Sequence, residues 1–111
     1  MPVYKINDKL KLFASVPMKD KTKEEIFQSF EDCKKNTELA LGQEVELLDT
    51  WINEEPPEGL KNEEVWLLAK SLEILAQANV ACFAKDWDKY RGCIIEHETA
   101  KRYDIKILES L

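Results

Sequence analysis

The chain has 111 residues, 44% of them hydrophobic, which suits one domain over 1–111 with a real core and leaves little room for a second. Its 22 acidic and 16 basic side chains give a net charge of −6, which argues against duplex nucleic acid or an anionic membrane as partner, because both select a basic face. No run approaches the ~20 apolar residues of a membrane span, and "MPVYKINDKLKLFASV" lacks the layout of a signal peptide.

In chain order, residues 1–9 read as an N-terminal tail, and Leu10 to Val16 form a short β-rich run stopped by Pro17. Thr22 with Glu25 three residues later makes a capping box. Behind it Ile26, Phe30, Cys33, Thr37 and Ala40 recur at helical spacing to about Leu41, and Gly42 ends the helix. "EVELLD" is a second strand, and "TWINEEPPEG" holds too much proline and glycine to be anything but a loop. A second helix over about 62–77 carries Val65, Leu68, Ala69, Leu72, Leu75 and Ala76 on one face. "NVACFA" is apolar throughout, as in a strand covered on both faces. A third helix runs from about Gly92 to Tyr103, and "IKIL" is the last strand. Cys33, Cys82 and Cys93 are odd in number and form no CxxC pair, so neither a disulfide framework nor structural zinc is expected, and a reducing cytoplasm is.

The order β-α-β-α-β-α-β predicts an α/β fold: a three-layer α/β/α, Rossmann- or flavodoxin-like domain with a four-stranded parallel sheet in the order 2-1-3-4. Winding reverses between strands 1 and 3, and ligands in such sheets bind outside the carboxyl ends at that switch point. The loops "SVPMKDKT" and "KDWDKYRG" should meet there.

At ~100° per residue, Cys93, Glu96, Ala100 and Tyr103 share one arc of the third helix, while Glu98, Lys101 and Arg102 point away. A carboxylate on a packing face is costly unless paired or facing a cavity. Near a helix start the dipole favours its ionised form, suited to nucleophilic attack or to binding sugar hydroxyls. The plain alternative is an ion pair with Arg91 or Arg102. Cys93 and His97 stand at i and i+4, but a metal needs three or four ligands and only Asp86 and Asp88 are near, so no metal and no cofactor is expected. Trp87 could stack on a base or sugar or simply pack on the helix. Lys19, Lys21 and Lys23 could hold a phosphate or form a solvated face.

"LFASVPM", "SLEILAQANVACFAKDW" and "RGCIIEHETAKRYDIKI", together with the pattern W-x-x-x-R-G-x-x-x-E-x-x-x-A at Trp87, Arg91, Gly92, Glu96 and Ala100, carry a resemblance. From Leu12 to Leu108 the chain resembles small bacterial and phage proteins of the DUF4406 family, in the nucleoside 2-deoxyribosyltransferase-like superfamily. That resemblance implies Glu96 as a nucleophile attacking the anomeric carbon of a 2-deoxynucleoside. It implies Ser15, Pro17 and Met18 lining the pocket, Trp87 and Gly92 bounding the sugar, and Arg91 and Ser71 among the binding residues. Three positions depart from the enzymes. Phe13 stands for a tyrosine, Ser71 for an aspartate that holds the sugar or handles the proton, and Asn79 for the aspartate before the third strand. The expected ligand is a small nucleoside or nucleotide. The alternative is a non-catalytic binder of a nucleotide-derived ligand, as an accessory protein of phage or mobile elements.

Leu67 and Ile74 widen the apolar arc of the second helix beyond what one sheet covers, with Trp66 on its flank. A homodimer, or a larger homo-oligomer, packed through residues 62–77 is expected. In the resembling superfamily active sites lie near subunit contacts, so a neighbour could supply the acid that Ser71 does not.

Overall fold

The computed structural model describes residues 9–110, so the expected tail at 1–9 falls outside it apart from Lys9. The elements are β1 (Leu10–Ser15), α1 (Lys23–Leu41), β2 (Val45–Leu47), α2 (Glu63–Leu75), β3 (Val80–Phe83), a 3-10 turn (Trp87–Lys89), α3 (Arg91–Arg102) and β4 (Lys106–Glu109).

Local chemistry sets the helix ends. The Thr22 hydroxyl accepts from the Glu25 N–H and the Glu25 carboxylate accepts from the Thr22 N–H, both at 3.1 Å, closing the capping box. Gly42 takes the left-handed conformation (φ 68°), and its N–H donates to the Glu38 carbonyl. The Asn62 side chain accepts from the Val65 N–H at 3.0 Å and starts α2. The 3-10 turn, which sequence periodicity did not show, follows Asp86 in the left-handed region (φ 68°), which an aspartate tolerates.

All four strands are parallel, in the order β2-β1-β3-β4. In register, Phe13 lies beside Ala81 and Ser15 beside Phe83. Side chains alternate across the sheet, so the two faces carry separate cores. Leu12, Ala14, Val16, Val80 and Cys82 pack under Ile26, Phe30 and Cys33 of α1. Phe13, Ala81 and Phe83 pack under Leu75 of α2 and Ala100 of α3. This is the three-layer α/β arrangement that the alternating pattern predicts. All three cysteines are buried free thiols.

Three expectations about helix faces are corrected. Ala40 is exposed, because it stands off the Thr37–Leu41 line along which the last turn of α1 meets the core. Tyr103 is 77% exposed, since it follows the last residue of α3 and the chain turns there through Asp104 in the left-handed region. The third concerns α2, whose inward arc runs through Leu68, Ser71, Leu72 and Leu75. Val65 (59% exposed), Ala69 and Ala76, expected against the sheet, face outward. Ile74, expected outside, is half-buried against the Phe13–Phe83 core. Residues 49–54 run along its flank and share an open groove with it. There Lys70 pairs with Glu54 at 3.4 Å and lies over the Trp66 ring at 5.6 Å. No helix among the described residues is long and apolar enough to cross a membrane.

Candidate active site

β1 and β3 stay paired to their carboxyl ends, where the Ala84 N–H donates to the Ser15 carbonyl at 2.9 Å. Both chains then leave the sheet, and α3 begins beside them. Glu96 is only 8% exposed. The Ser15 hydroxyl donates to its Oε1 at 2.7 Å, and the Ser71 hydroxyl donates to its Oε2 in a short contact. Three elements (β1, α2 and α3) thus contribute one group each, at the point where the winding of the sheet reverses.

Neither arginine reaches this carboxylate. Arg91 pairs with Glu64 of α2, and Arg102 pairs with Glu98 at 2.5 Å, one turn along its own helix. The ion-pair alternative is therefore set aside, and hydroxyl donors take its place. The helix start favours the ionised form of Glu96, and burial works against it. Burial pushes its pKa above the ordinary carboxylate range, and the hydrogen bonds from Ser71 and Ser15 offset only part of that. Desolvation outweighs the dipole because the carboxylate lies more than a turn inside α3, where the field of the free N–H groups has faded.

Cys93 lies one turn before Glu96 and is buried with it. Burial pushes its thiol up to about 11, against a hydrogen bond with Ser15. Cys93 therefore stands protonated beside Ser15 at neutral pH. Its place in the cluster was readable from the i, i−3 spacing to Glu96.

The remaining expected residues divide. Pro17 is buried and Met18 exposed in the loop after β1. Gly92 is exposed in the first turn of α3, and a Cβ built on it would meet nothing within 4 Å. Nothing in this chain therefore requires a glycine there, and open space is left one turn from Glu96. Arg91 is on the surface, held by Glu64. Trp87 turns toward β4, stacking on the His97 ring at 4.0 Å and 8° and packing tilted on Phe83 at 5.6 Å. His97, expected to face solvent or make one hydrogen bond, has its Nε2 2.7 Å from Glu109 and lies edge-on to Phe83 at 4.7 Å. Sequence spacing alone gave no sign of this aromatic stack, because it joins β3, the loop, α3 and β4.

The three departures from the resembling enzymes also have places. Phe13 is buried in the core two residues before Ser15, on the same face of the sheet. Ser71 keeps contact with Glu96, so the position stays in the site while the acid is lost. Asn79 lies at the other end of the sheet, where its Oδ1 accepts from the Lys11 N–H at 2.7 Å. It ties β3 to β1 and takes no part in the cluster.

The cluster can position a basic carboxylate, present hydroxyls beside it, and exclude water from it. Compared with known protein families, curated proteins and solved structures, the chain finds no match.

Proposed function

We propose that this site performs N-glycosidic chemistry on a 2-deoxynucleoside or deoxynucleotide, by deoxyribosyl transfer or hydrolysis, with Glu96 as nucleophile. One observation carries the reading. A carboxylate without a cationic partner among the described residues is buried at the switch point, with a serine hydroxyl on each oxygen. The resemblance of the Trp87–Ala100 pattern supports the same role.

In this reaction a Glu96 oxygen bonds to the anomeric carbon as the bond from that carbon to the base nitrogen breaks. The electron pair leaves with the base, which takes up a proton. Water or a second base then displaces Glu96 and restores the carboxylate. Ser15 and Ser71 hold the carboxylate plane, and one of them can turn to a sugar hydroxyl when substrate arrives. Burial keeps Glu96 basic, which strengthens it as a nucleophile once ionised. Activity should therefore rise with pH as Glu96 loses its proton.

One feature favours a second reading, the non-catalytic binder. Ser71 offers a hydroxyl where a proton donor for the leaving base is needed. A chromatographic assay over a panel of deoxynucleosides and their monophosphates, with Glu96→Ala as control, separates the two. Released base that vanishes in the variant supports the enzyme, while saturable binding without product supports the binder.

The homodimer remains a proposal, with its face revised. Val65, Leu67, Ala69 and Ala76 are exposed apolar residues at α2, and Ile95 is another on α3. Pairing that face with its copy would bury it. Three buried free thiols fit the proposed reducing cytoplasm.

A further inference from the structure

On the other face of the sheet, a cleft of about 530 Å³ opens at the end of β2, between the first turns of α1 and the chain leaving the strand. Phe27 and Trp51 meet there edge to face, their centroids 5.4 Å apart at 71°. The Lys23 ammonium lies over both rings, 5.3 Å from the Phe27 centroid and 5.7 Å from that of Trp51. Two aromatic faces are thus turned to one cation, and the chain supplies that cation itself.

Lys23 does not complete the cleft. Thr50 lines it and is 7% exposed, yet its hydroxyl has no hydrogen-bond partner among the described residues. That oxygen is closed off from the cleft, so the two rings and the surrounding charge are what a ligand would meet. Glu31 and Asp49 also line the cleft, and among the described residues Lys23 is the one basic residue on its walls, so the local charge is negative. Asp49 Oδ1 accepts from the Trp51 N–H at 3.0 Å, which fixes the backbone that carries the indole.

We propose that this cleft binds a small organic cation, an alkylammonium, with Lys23 as a built-in competitor. The cation lies over Phe27 and Trp51, and Glu31 and Asp49 balance its charge. This site is independent of Glu96 and of the reaction proposed for it.

The test is a titration of tryptophan fluorescence with n-butylammonium chloride against sodium chloride at equal ionic strength, with Trp51→Phe identifying the Trp51 signal. Lys23→Gln should bind about two- to five-fold tighter, because the ring faces are freed of their own cation. Trp51→Ala should weaken binding ~10-fold or more. Circular dichroism checks that each variant is folded. Weaker or unchanged binding in Lys23→Gln would overturn the proposal, as would saturation by inorganic phosphate that Lys23→Gln abolishes, the mark of an anion site. Absence of saturation below ~10 mM butylammonium would overturn it as well.

Discussion

Removing the Ser71 hydroxyl should destabilise the fold by an amount that depends on pH. Ser71→Ala deletes the donor to Glu96 Oε2 and leaves Ser15 on Oε1. When Glu96 is ionised the lost bond is charge-assisted, worth ~1.5–3 kcal/mol; when it is protonated the bond is neutral, worth ~0.5–1.5 kcal/mol. Ser71 is half-buried, so water can replace its hydroxyl in part, and the lower end of each range applies. Ser15 is 2% exposed, and Ser15→Ala should stand at the upper end.

The sign follows from linkage. Burial holds the folded-state pKa of Glu96 above its unfolded value, so between the two the native state keeps a proton that the unfolded chain gives up. The stability this proton contributes is complete below the unfolded pKa and is lost as pH rises through the folded one. The Ser71 bond opposes that rise, so deleting it lifts the folded pKa further and steepens the loss. Urea unfolding followed by tryptophan fluorescence should show Ser71→Ala costing about 0.5 kcal/mol near pH 4 and about 1.5 kcal/mol near pH 8. Equal costs at the two pH values would refute the assignment of this bond, and so would a larger cost in acid.

Gly92→Ala should raise helix stability by ~0.5–1 kcal/mol, since its new methyl meets nothing within 4 Å, yet weaken nucleoside binding if sugar approaches α3 there. Calorimetry with and without ligand separates the two effects, and unchanged affinity would remove Gly92 from the site. Ser71→Asp places a second carboxyl against Glu96, where like charge raises one pKa and supplies a proton donor. Base release in the chromatographic assay should increase over wild type, and a decrease would show that the acid comes from elsewhere. The triple variant Ser15→Ala, Ser71→Ala, Glu96→Met fills the same space with apolar groups and should be neutral or more stable by ~1–4 kcal/mol while losing all ligand binding. Strong destabilisation in urea would instead make the cluster structural.

The sequence carried the fold further than the site. Strand and helix order, the Thr22 capping box and the Gly42 stop are local signals, and each was legible because it depends on residues three or four apart. Glu96 was legible for the same reason, as an acid on the arc of Cys93 and Ala100. The face of α2 was not. Its apolar residues cover more than half the circumference, so periodicity alone left several rotations open. Of the two readings of Trp87, packing on the helix holds, against His97 of α3. The neighbours of Trp87 in sequence point to the mouth of the site, but the left-handed Asp86 turns it onto His97 and Phe83, and no short-range pattern encodes that turn.

The α2–α3 face of the sheet gives a reason to treat Glu96 as more than a packing residue. Phe13, Leu75, Phe83 and Ala100 close that layer with apolar groups, and a leucine or methionine at position 96 could extend it without desolvating a charge. The fold instead places an acid there, leaves Arg91 and Arg102 paired elsewhere, and meets the carboxylate with hydroxyls that only partly offset its burial. Local rules broken at a net cost in stability are expected where function sets the residue. The donors come from β1 and α2, which are distant in sequence and converge on α3 only because β1 and β3 lie side by side. The position of the acid therefore depends on the 2-1-3-4 order of the sheet, and a different strand order would leave Ser15, Ser71 and Glu96 apart.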